Sequence, residues 1–542
     1  MKTNRLYSLD AMRGILMLLG VYFHLAFHYH PGNSTGGHWV FWLFTLWVHL
    51  FRMPAFFLIA GFFGALLFYR RGSKEMIVNR FKRIFLPLII FITPIHIMDM
   101  YGRKFTELRK DGIGILESFK MSLTYDFPNR EYFPEATHHL WFLYYLFFIS
   151  IIVVVSFKVL NKLKIKIKIK SLFWLFDKKP TVSVLLSCLV YALLMTLMDK
   201  TMAQGEGFWW AWTWFLDSGG VKSFIAFCFF YYLGWQIYHQ KEKLVKLSAW
   251  KYLFLGIIIT FIINKSVIEL FTIGNFMPSQ YDLWNEVTLK ESLKIKNVKK
   301  KKVTFLVDMS KEAVVKGDGK YPAVYLNITP WSTPHGFEMK DIGGGIWTIT
   351  KEFYPGFYHY KFRNGFYDNW GPPNWENGDT LKFEGCGGTE GNGTRRFWVK
   401  DEDLTLGVFC WSKCTDCFGN NILSAFYKEE EYFNDTIIQR AFIFLWNFGI
   451  PLNVMFWLAF FIRIFNKPSK ILRYVSDSSY WVYIIHTVFI AFVPALFHQS
   501  DMNVFIKFIL SSFLITLFCF STYQLFVRKT FIGKLLNGRK YD

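Results

Sequence analysis

The chain has 542 residues, 53% of them hydrophobic and 20% aromatic, with 62 Lys and Arg against 40 Asp and Glu. This apolar fraction, a positive mean hydropathy, ordinary Gly content and only seven Cys exclude a disordered chain, a collagen and a disulfide-built miniprotein, and argue against an ordinary soluble enzyme. The net charge of +22 sits mostly in short segments between apolar stretches, where it acts as a topology signal and not as a nucleic-acid surface.

Ten apolar stretches can be marked in chain order, near 9–29, 40–69, 84–100, 139–157, 181–198, 221–238, 251–265, 441–462, 480–497 and 503–526. Each approaches the length of about 20 residues that spans a bilayer as a helix. The first is not a secretory signal, because Asp10 and Arg13 interrupt it and no small-residue cleavage site follows. With the N-terminus inside, the basic loops at Arg70–Arg83, Lys158–Lys179, Lys241–Lys251 and Arg463–Arg473 and the tail with Arg528 to Lys540 all fall in the cytoplasm. The expectation is a multi-pass inner-membrane protein with both termini cytoplasmic. "KVLNKLKIKIKIK" is read as a cytoplasmic loop, with an edge strand or a membrane-surface stretch as its other readings.

Between the seventh and eighth stretches the composition shifts from Phe and Ile runs to Gly, Asp, Asn and Pro. The segments "VTFLVDM", "YPAVYLNI", "GIWTITKEF", "FYHYKFRNG" and "TRRFWVK" alternate with period two and are separated by Asn-Gly and Pro-Gly turns. The expected fold is therefore an all-α membrane bundle of about ten helices (1–265 and 441–542) with an inserted all-β sandwich (303–418) between linkers 266–302 and 419–440. Parity puts the insert outside the cytoplasm. Cys386, Cys410, Cys414 and Cys417 lie in it, an even number suited to disulfides in an oxidising compartment; a four-Cys zinc site would need paired Cys-x-x-Cys spacing, and Cys386 stands alone. No metal is expected. Tyr358, Tyr360 and Phe362 alternate on one strand face and are read as core.

A charge inside a bilayer is costly, so each one in a span is a candidate for function. Arg13 and His24 are eleven residues apart, three helical turns plus about 20°, so both lie on one face about 16 Å apart along the axis, with Gly20 on the same stripe. Asp10 is one turn before Arg13 and suits a structural pair with it. His49 and Arg52 lie in "HLFRMPAFFLIAGFF", a helix that Pro54 is expected to kink. Arg80 and Arg83, in "NRFKRIFLP", are one turn apart at the cytoplasmic edge, a spacing that lets two guanidiniums share a phosphate or pyrophosphate; plain anchoring is the other reading. His486, in "YIIHTVF", suits either a helix-packing hydrogen bond or a tunnel lining. Trp141, after His138 and His139, reads as an interfacial anchor or an acceptor contact. No GxSxG nucleophile elbow and no P-loop is present.

The ordered set "LDAMRG", Arg13 with His24, "FRMPAFFLIAGF", Arg80-x-x-Arg83, "HHLWFLYYLFF" and "SYWVYIIHTVF" resembles the acyltransferase 3 family of membrane acyltransferases, and within it the branch that modifies periplasmic glucans. The resemblance implies transfer of an acyl group, acetyl or succinyl, onto sugar hydroxyls of an extracytoplasmic glycan, with acyl-coenzyme A as donor and no permanently bound cofactor. It implies a catalytic group of His24, Arg13 and Asp10, and donor contacts from Arg80, Arg83, Arg52, His49 and His486. The expected partners are membrane lipids, the glycan and the donor. A transporter or flippase that moves a glycan or lipid-linked substrate without chemistry is the alternative. The insert resembles the immunoglobulin-like module that binds glycogen and starch, and this resemblance implies sugar contacts at Trp331, Lys361 and Trp370. Trp141, in the membrane part, is kept separately as a further expected substrate contact.

Overall fold

The computed structural model describes residues 7–30, 37–127, 132, 134, 137–163, 180–198, 220–239, 254, 258, 262, 300–317, 321–328, 336–353, 356–366, 374–384, 386, 394–399, 402–420 and 429–538. The chain divides into two compact units, Met1–Asn264 with Phe444–Asp542, and Lys265–Ile443.

The first unit is helical. Its elements are α1 (Tyr7–Ala26), α2 (Trp39–Arg80), α3 (Leu86–Lys110), α4 (Ile115–Leu123), α5 (Trp141–Lys162), α6 (Pro180–Leu197) and α7 (Gly220–His239). After the insert come α9 (Glu429–Ile464), α10 (Lys470–Leu496), α11 (Val504–Thr522) and α12 (Phe531–Asn537); α8 belongs to the second unit. Among the described residues, seven helical stretches are long and apolar enough to cross a membrane, and one of them, Leu43–Lys110, runs through two of the expected spans. Gly72, at φ 84°, breaks that run, and a π-helical turn at Phe81–Phe85 joins α2 to α3. α7 covers the expected span at 221–238. The expected span at 251–265 lies outside the described residues except for three positions, so the count of ten stays an expectation.

The amount of apolar surface each helix hides sets its place in the bundle. The most apolar stretch of the Leu43–Lys110 run is 78% buried, whereas that of α11 is 22% buried. α11 leaves Ile506, Ile509, Phe513 and Leu517 exposed, a stripe at helical spacing that suits lipid. Its other face joins Val21, Leu25 and Tyr29, Val482, Ile490 and Val493, and Ile515 and Cys519 in one apolar cluster. Small residues decide the closest approach in the bundle. A Cβ on Gly61 would collide with the carbonyl oxygen of Tyr231, and one on Gly234 with that of Leu58. α2 and α7 therefore meet backbone to backbone, as helices do where lipid supplies no hydrophobic drive between them.

The second unit is a sandwich of two sheets. One has the strand order β4 (Lys340–Asp341), β5 (Ile346–Phe353), β1 (Lys301–Asp308) and β8 (Leu404–Thr405), with β9 (Phe409–Cys410) also pairing with β1. The other runs β3 (Phe337–Glu338), β2 (Val324–Ile328), β6 (Gly356–Asn364) and β7 (Arg395–Val399). Period-two alternation sends Val303, Phe305 and Val307 inward to meet Tyr358, Tyr360, Phe362 and Phe397, so the three aromatics read as core are core. The short α8 (Gly378–Glu384) lies under the disulfide Cys386–Cys414, and a second disulfide joins Cys410 to Cys417. Arg395 is buried against Glu376 at 2.6 Å and stands 4.5 Å over the Phe409 ring. Pairing and hydrogen bonds are what make a charge tolerable at such a depth. Lys361, expected at a sugar contact, is only 7% exposed and sits opposite Asn327 in the sheet register, so it offers no open ammonium. Trp331 and Trp370 lie outside the described residues.

The α2–α7 contact predicts that Gly234→Val destabilises the bundle by about 1–3 kcal/mol through overpacking. Thermal unfolding of the purified protein in detergent measures this, and an unchanged midpoint would contradict the close approach.

Candidate active site

α1 and α10 run parallel, in contact along their length. Near their N-terminal ends Arg13 Nη2 donates to the Ser476 carbonyl (3.0 Å) and to its hydroxyl (2.8 Å). A Cβ on Gly14 would lie 3.1 Å from the Ser476 backbone nitrogen, so the helices touch at this level. Eleven residues further along α1, and ten along α10, the rings of His24 and His486 stand 5.3 Å apart. Both polar residues of α1 therefore face the same neighbouring helix, as their spacing requires.

A cavity of about 660 Å³ opens at the Arg13 level. Asp10, Arg13, Arg80 and Arg83 line it together with Ser476, Asp477, Tyr480 and Tyr483 of α10. Arg80 caps the π-helical turn and Arg83 lies within it, a departure from α-geometry frequent at functional sites. Arg83 is held from two sides: its carbonyl accepts from the Tyr480 hydroxyl at 2.7 Å, and its guanidinium seats where a Cβ on Gly538 would be. Gly538 takes the left-handed conformation (φ 72°) that ends α12, and Asn537 donates to the Asp477 carbonyl at 3.0 Å. The wall from α12 was not foreseen in the sequence, where the basic tail reads only as a topology signal.

Arg13 Nε, Arg80 Nε and Arg80 Nη2 are buried and have no acceptor among the described residues. Each such donor costs about 1–3 kcal/mol of desolvation unless an acceptor is brought to it. Three of them at one cavity make a site for an oxyanion, and a guanidinium fork suits phosphate.

The other expected residues form a second cluster beyond Tyr483. Arg52 is 8% exposed, with its guanidinium 4.6 Å from the Phe23 ring centroid. It occupies the space that Gly20 leaves, since a Cβ there would collide with Nη1. His49 meets Phe23 edge-on at 5.2 Å, and His24 is partly accessible. The His486 ring is 5.3 Å from that of His24, 5.1 Å from that of His139 and 6.2 Å from that of Tyr483. The expected residues thus separate into a guanidinium level (Asp10, Arg13, Arg80, Arg83) and an imidazole level (His24, His49, Arg52, His486). Tyr483, whose ring lines the cavity, stands at the boundary. His24 is not among the residues that line this cavity; the ring of His486 stands between it and that of the lining Tyr483 in the chain of ring contacts.

Trp141 differs from the expected interfacial anchor. Its ring stacks on Phe227 at 5.3 Å and on Phe57 at 6.4 Å, which makes it a packing element between α2, α5 and α7. Sequence reasoning missed Ser476, Tyr480 and Tyr483, although their signal was present: with His486 they follow helical spacing and form one polar stripe on α10.

Residues 6–289, more than half of the chain, match the acyltransferase domain of the acyltransferase 3 family. The chain belongs to this family. A glucans biosynthesis protein C of Salmonella typhimurium is 30% identical over 143 residues, 26% of this chain and 35% of that protein. One of Escherichia coli is 32% identical over 160 residues, 29% of this chain and 40% of that protein. The chain thus matches well under half of the length of these curated relatives. No solved structure matches.

Proposed function

We propose that this acyltransferase 3 family member moves an acetyl or succinyl group from a cytoplasmic acyl-coenzyme A to hydroxyls of an extracytoplasmic glycan. The observation that carries the reading is the layered arrangement along α1. A cavity whose buried guanidinium N–H groups lack acceptors lies at one level, and an imidazole lies 16 Å further along the same helix, at about 1.5 Å per residue. Family membership and the relatives named for glucan biosynthesis support the reaction class and the acceptor class. The positive-inside pattern supports entry of the donor from the cytoplasm at the Arg80 and Arg83 end.

In this reading the donor's phosphates rest on Arg80, Arg83 and Arg13, and its pantetheine arm extends past Tyr480 and Tyr483 toward His24. A lone pair on the His24 imidazole takes the proton of a sugar hydroxyl as that oxygen attacks the thioester carbonyl, forming the C–O bond. The tetrahedral intermediate collapses with cleavage of the C–S bond, and the imidazolium returns the proton to the departing thiolate. Arg52, buried beside Phe23 and without an acid near it in this cluster, is placed to steady the oxyanion. Asp10 and Asp477 balance the charge at the phosphate level. The inserted sandwich is read as an extracytoplasmic glycan holder that raises the local acceptor concentration.

Three outcomes follow. His24→Ala lowers kcat by roughly 10²- to 10⁴-fold in proteoliposomes given labelled acetyl- or succinyl-coenzyme A and glucose oligosaccharides; wild-type turnover in the variant removes His24 from the chemistry. Arg80→Met weakens coenzyme A binding by roughly ten- to a hundredfold, the equivalent of about 1.5–3 kcal/mol for hydrogen bonds to a charged group, measured by calorimetry on the detergent-solubilised protein; unchanged affinity places the phosphates elsewhere. The isolated sandwich, residues 300–420, is retained on insoluble glucan in a pull-down, and absence of retention on every glucan tried removes the holder role.

A further inference from the structure

The imidazole level contains a nitrogen whose role the acyl-transfer step leaves open. His486 Nδ1 faces two backbone carbonyls of its own helix, Val482 at 3.1 Å and Tyr483 at 2.8 Å. A carbonyl only accepts, so Nδ1 carries the proton and Nε2 is left as a lone pair. That Nε2 is buried and has no hydrogen-bond partner among the described residues, in a residue only 2% exposed. An unused acceptor at this depth has a definite cost, and the surroundings narrow what answers it.

His139 is the nearer ring, at 5.1 Å, but both of its nitrogens are engaged. Nε2 donates to the Ile484 carbonyl at 3.1 Å, and Nδ1 accepts from the Thr487 hydroxyl at 3.2 Å. His138, just before it, takes a positive φ of 44°, a conformation unusual for a residue other than glycine. In that conformation His138 reaches His96, ring nitrogen to ring nitrogen, at 2.9 Å. The Tyr483 hydroxyl is spent on the His139 carbonyl at 2.5 Å. His24 is left. Its ring is 5.3 Å from that of His486 at 44°, and it makes no hydrogen bond among the described residues. The His96–His138 pair sets the scale, since there rings 4.9 Å apart bring nitrogens to 2.9 Å. A centroid distance of 5.3 Å for His24 and His486 is close to that scale.

We propose that His486 is a positioning residue for His24: its fixed Nε2 lone pair accepts the N–H of His24 and thereby selects the tautomer of the base. The inference rests on the acyl-transfer reading above and revises one part of it, moving His486 from the donor contacts to the base. With one ring N–H committed to His486, the opposite His24 nitrogen carries the lone pair that takes the hydroxyl proton. When that proton arrives, the positive charge spreads over a bond to a neutral acceptor whose own N–H is anchored on two carbonyls. This is the role a carboxylate plays behind a catalytic histidine, here filled by a neutral group. A second anion would be harder to keep at this depth in a membrane.

The test uses the full-length protein in proteoliposomes with labelled acetyl- or succinyl-coenzyme A and glucose oligosaccharides, alongside His24→Ala. His486→Leu is expected to lower kcat on the order of 10²-fold while donor KM stays within about twofold. His486→Gln, whose amide places an oxygen near Nε2 and an NH₂ toward the two carbonyls, is expected to recover at least tenfold of that loss. Wild-type kcat in His486→Leu overturns the proposal, as does a rise in donor KM at constant kcat, which would return His486 to the donor contacts. A Gln variant no better than Leu at equal monodisperse yield also overturns it, leaving a packing role. If His24→Ala is itself active the acyl-transfer reading fails; if it is inactive and the His486 variants are normal, only the positioning role fails.

Discussion

The parallel contact between α1 and α10 is the constraint on which the rest of the site depends. Arg13 reaches two oxygens of Ser476, and Gly14 lets the backbones meet at that level. Because two α-helices in parallel register rise equally per residue, fixing one level fixes the next: His24 must arrive opposite His486. The guanidinium and imidazole levels are thus not two independent sites but two rungs of one helix pair. A shift of α10 by one residue would turn the Ser476–Tyr480–Tyr483–His486 stripe by about 100° and detach both rungs together.

Electrostatics explains why the two levels differ in kind. Guanidinium groups stay protonated at any accessible pH, so a cavity lined by Arg13, Arg80 and Arg83 keeps its donors whatever the occupant does. Their unsatisfied N–H groups cost folding energy, and the bundle offsets this with backbone-close packing such as that of Gly61 and Gly234 against α7 and α2. At the inner level the chemistry needs a group that both gains and loses a proton, and imidazole is the side chain suited to that. Tyr483 borders both levels. It lines the cavity, and its hydroxyl donates to the His139 carbonyl, so the residue between the two levels is also tied to the wall behind the imidazoles.

Much of this was legible from spacing. The eleven-residue interval between Arg13 and His24 implied one face, and the structure places both against α10. The Arg80 and Arg83 spacing allowed either a shared anion site or plain anchoring, and both side chains line one cavity. The alternation of Tyr358, Tyr360 and Phe362 implied a sandwich core. What stayed hidden depends on contacts distant in sequence. No local pattern says that Gly538 seats Arg83, that Cys386 pairs with Cys414 across 28 residues, or that Trp141 fills a gap between α2 and α7. The burial of Lys361 was hidden for a related reason: a strand position alternates between faces predictably, but its neighbours across the sheet and beyond decide how open that face is.

The separation of the two levels has a consequence for catalysis. On the proposed mechanism, interactions with the donor's phosphates are the same in the ground state and the transition state, so the guanidinium level would set affinity and lower KM without accelerating the chemical step. Groups that respond to the proton in flight act only in the transition state and appear in kcat. A helix pair that holds these functions about 16 Å apart lets each change without the other. On the proposed mechanism, the guanidinium level would accept any thioester that carries the same phosphates, and the acyl group and acceptor would be distinguished near His24. In the proposed reading, acyl and acceptor specificity would therefore be a property of the imidazole level and not of the larger cavity.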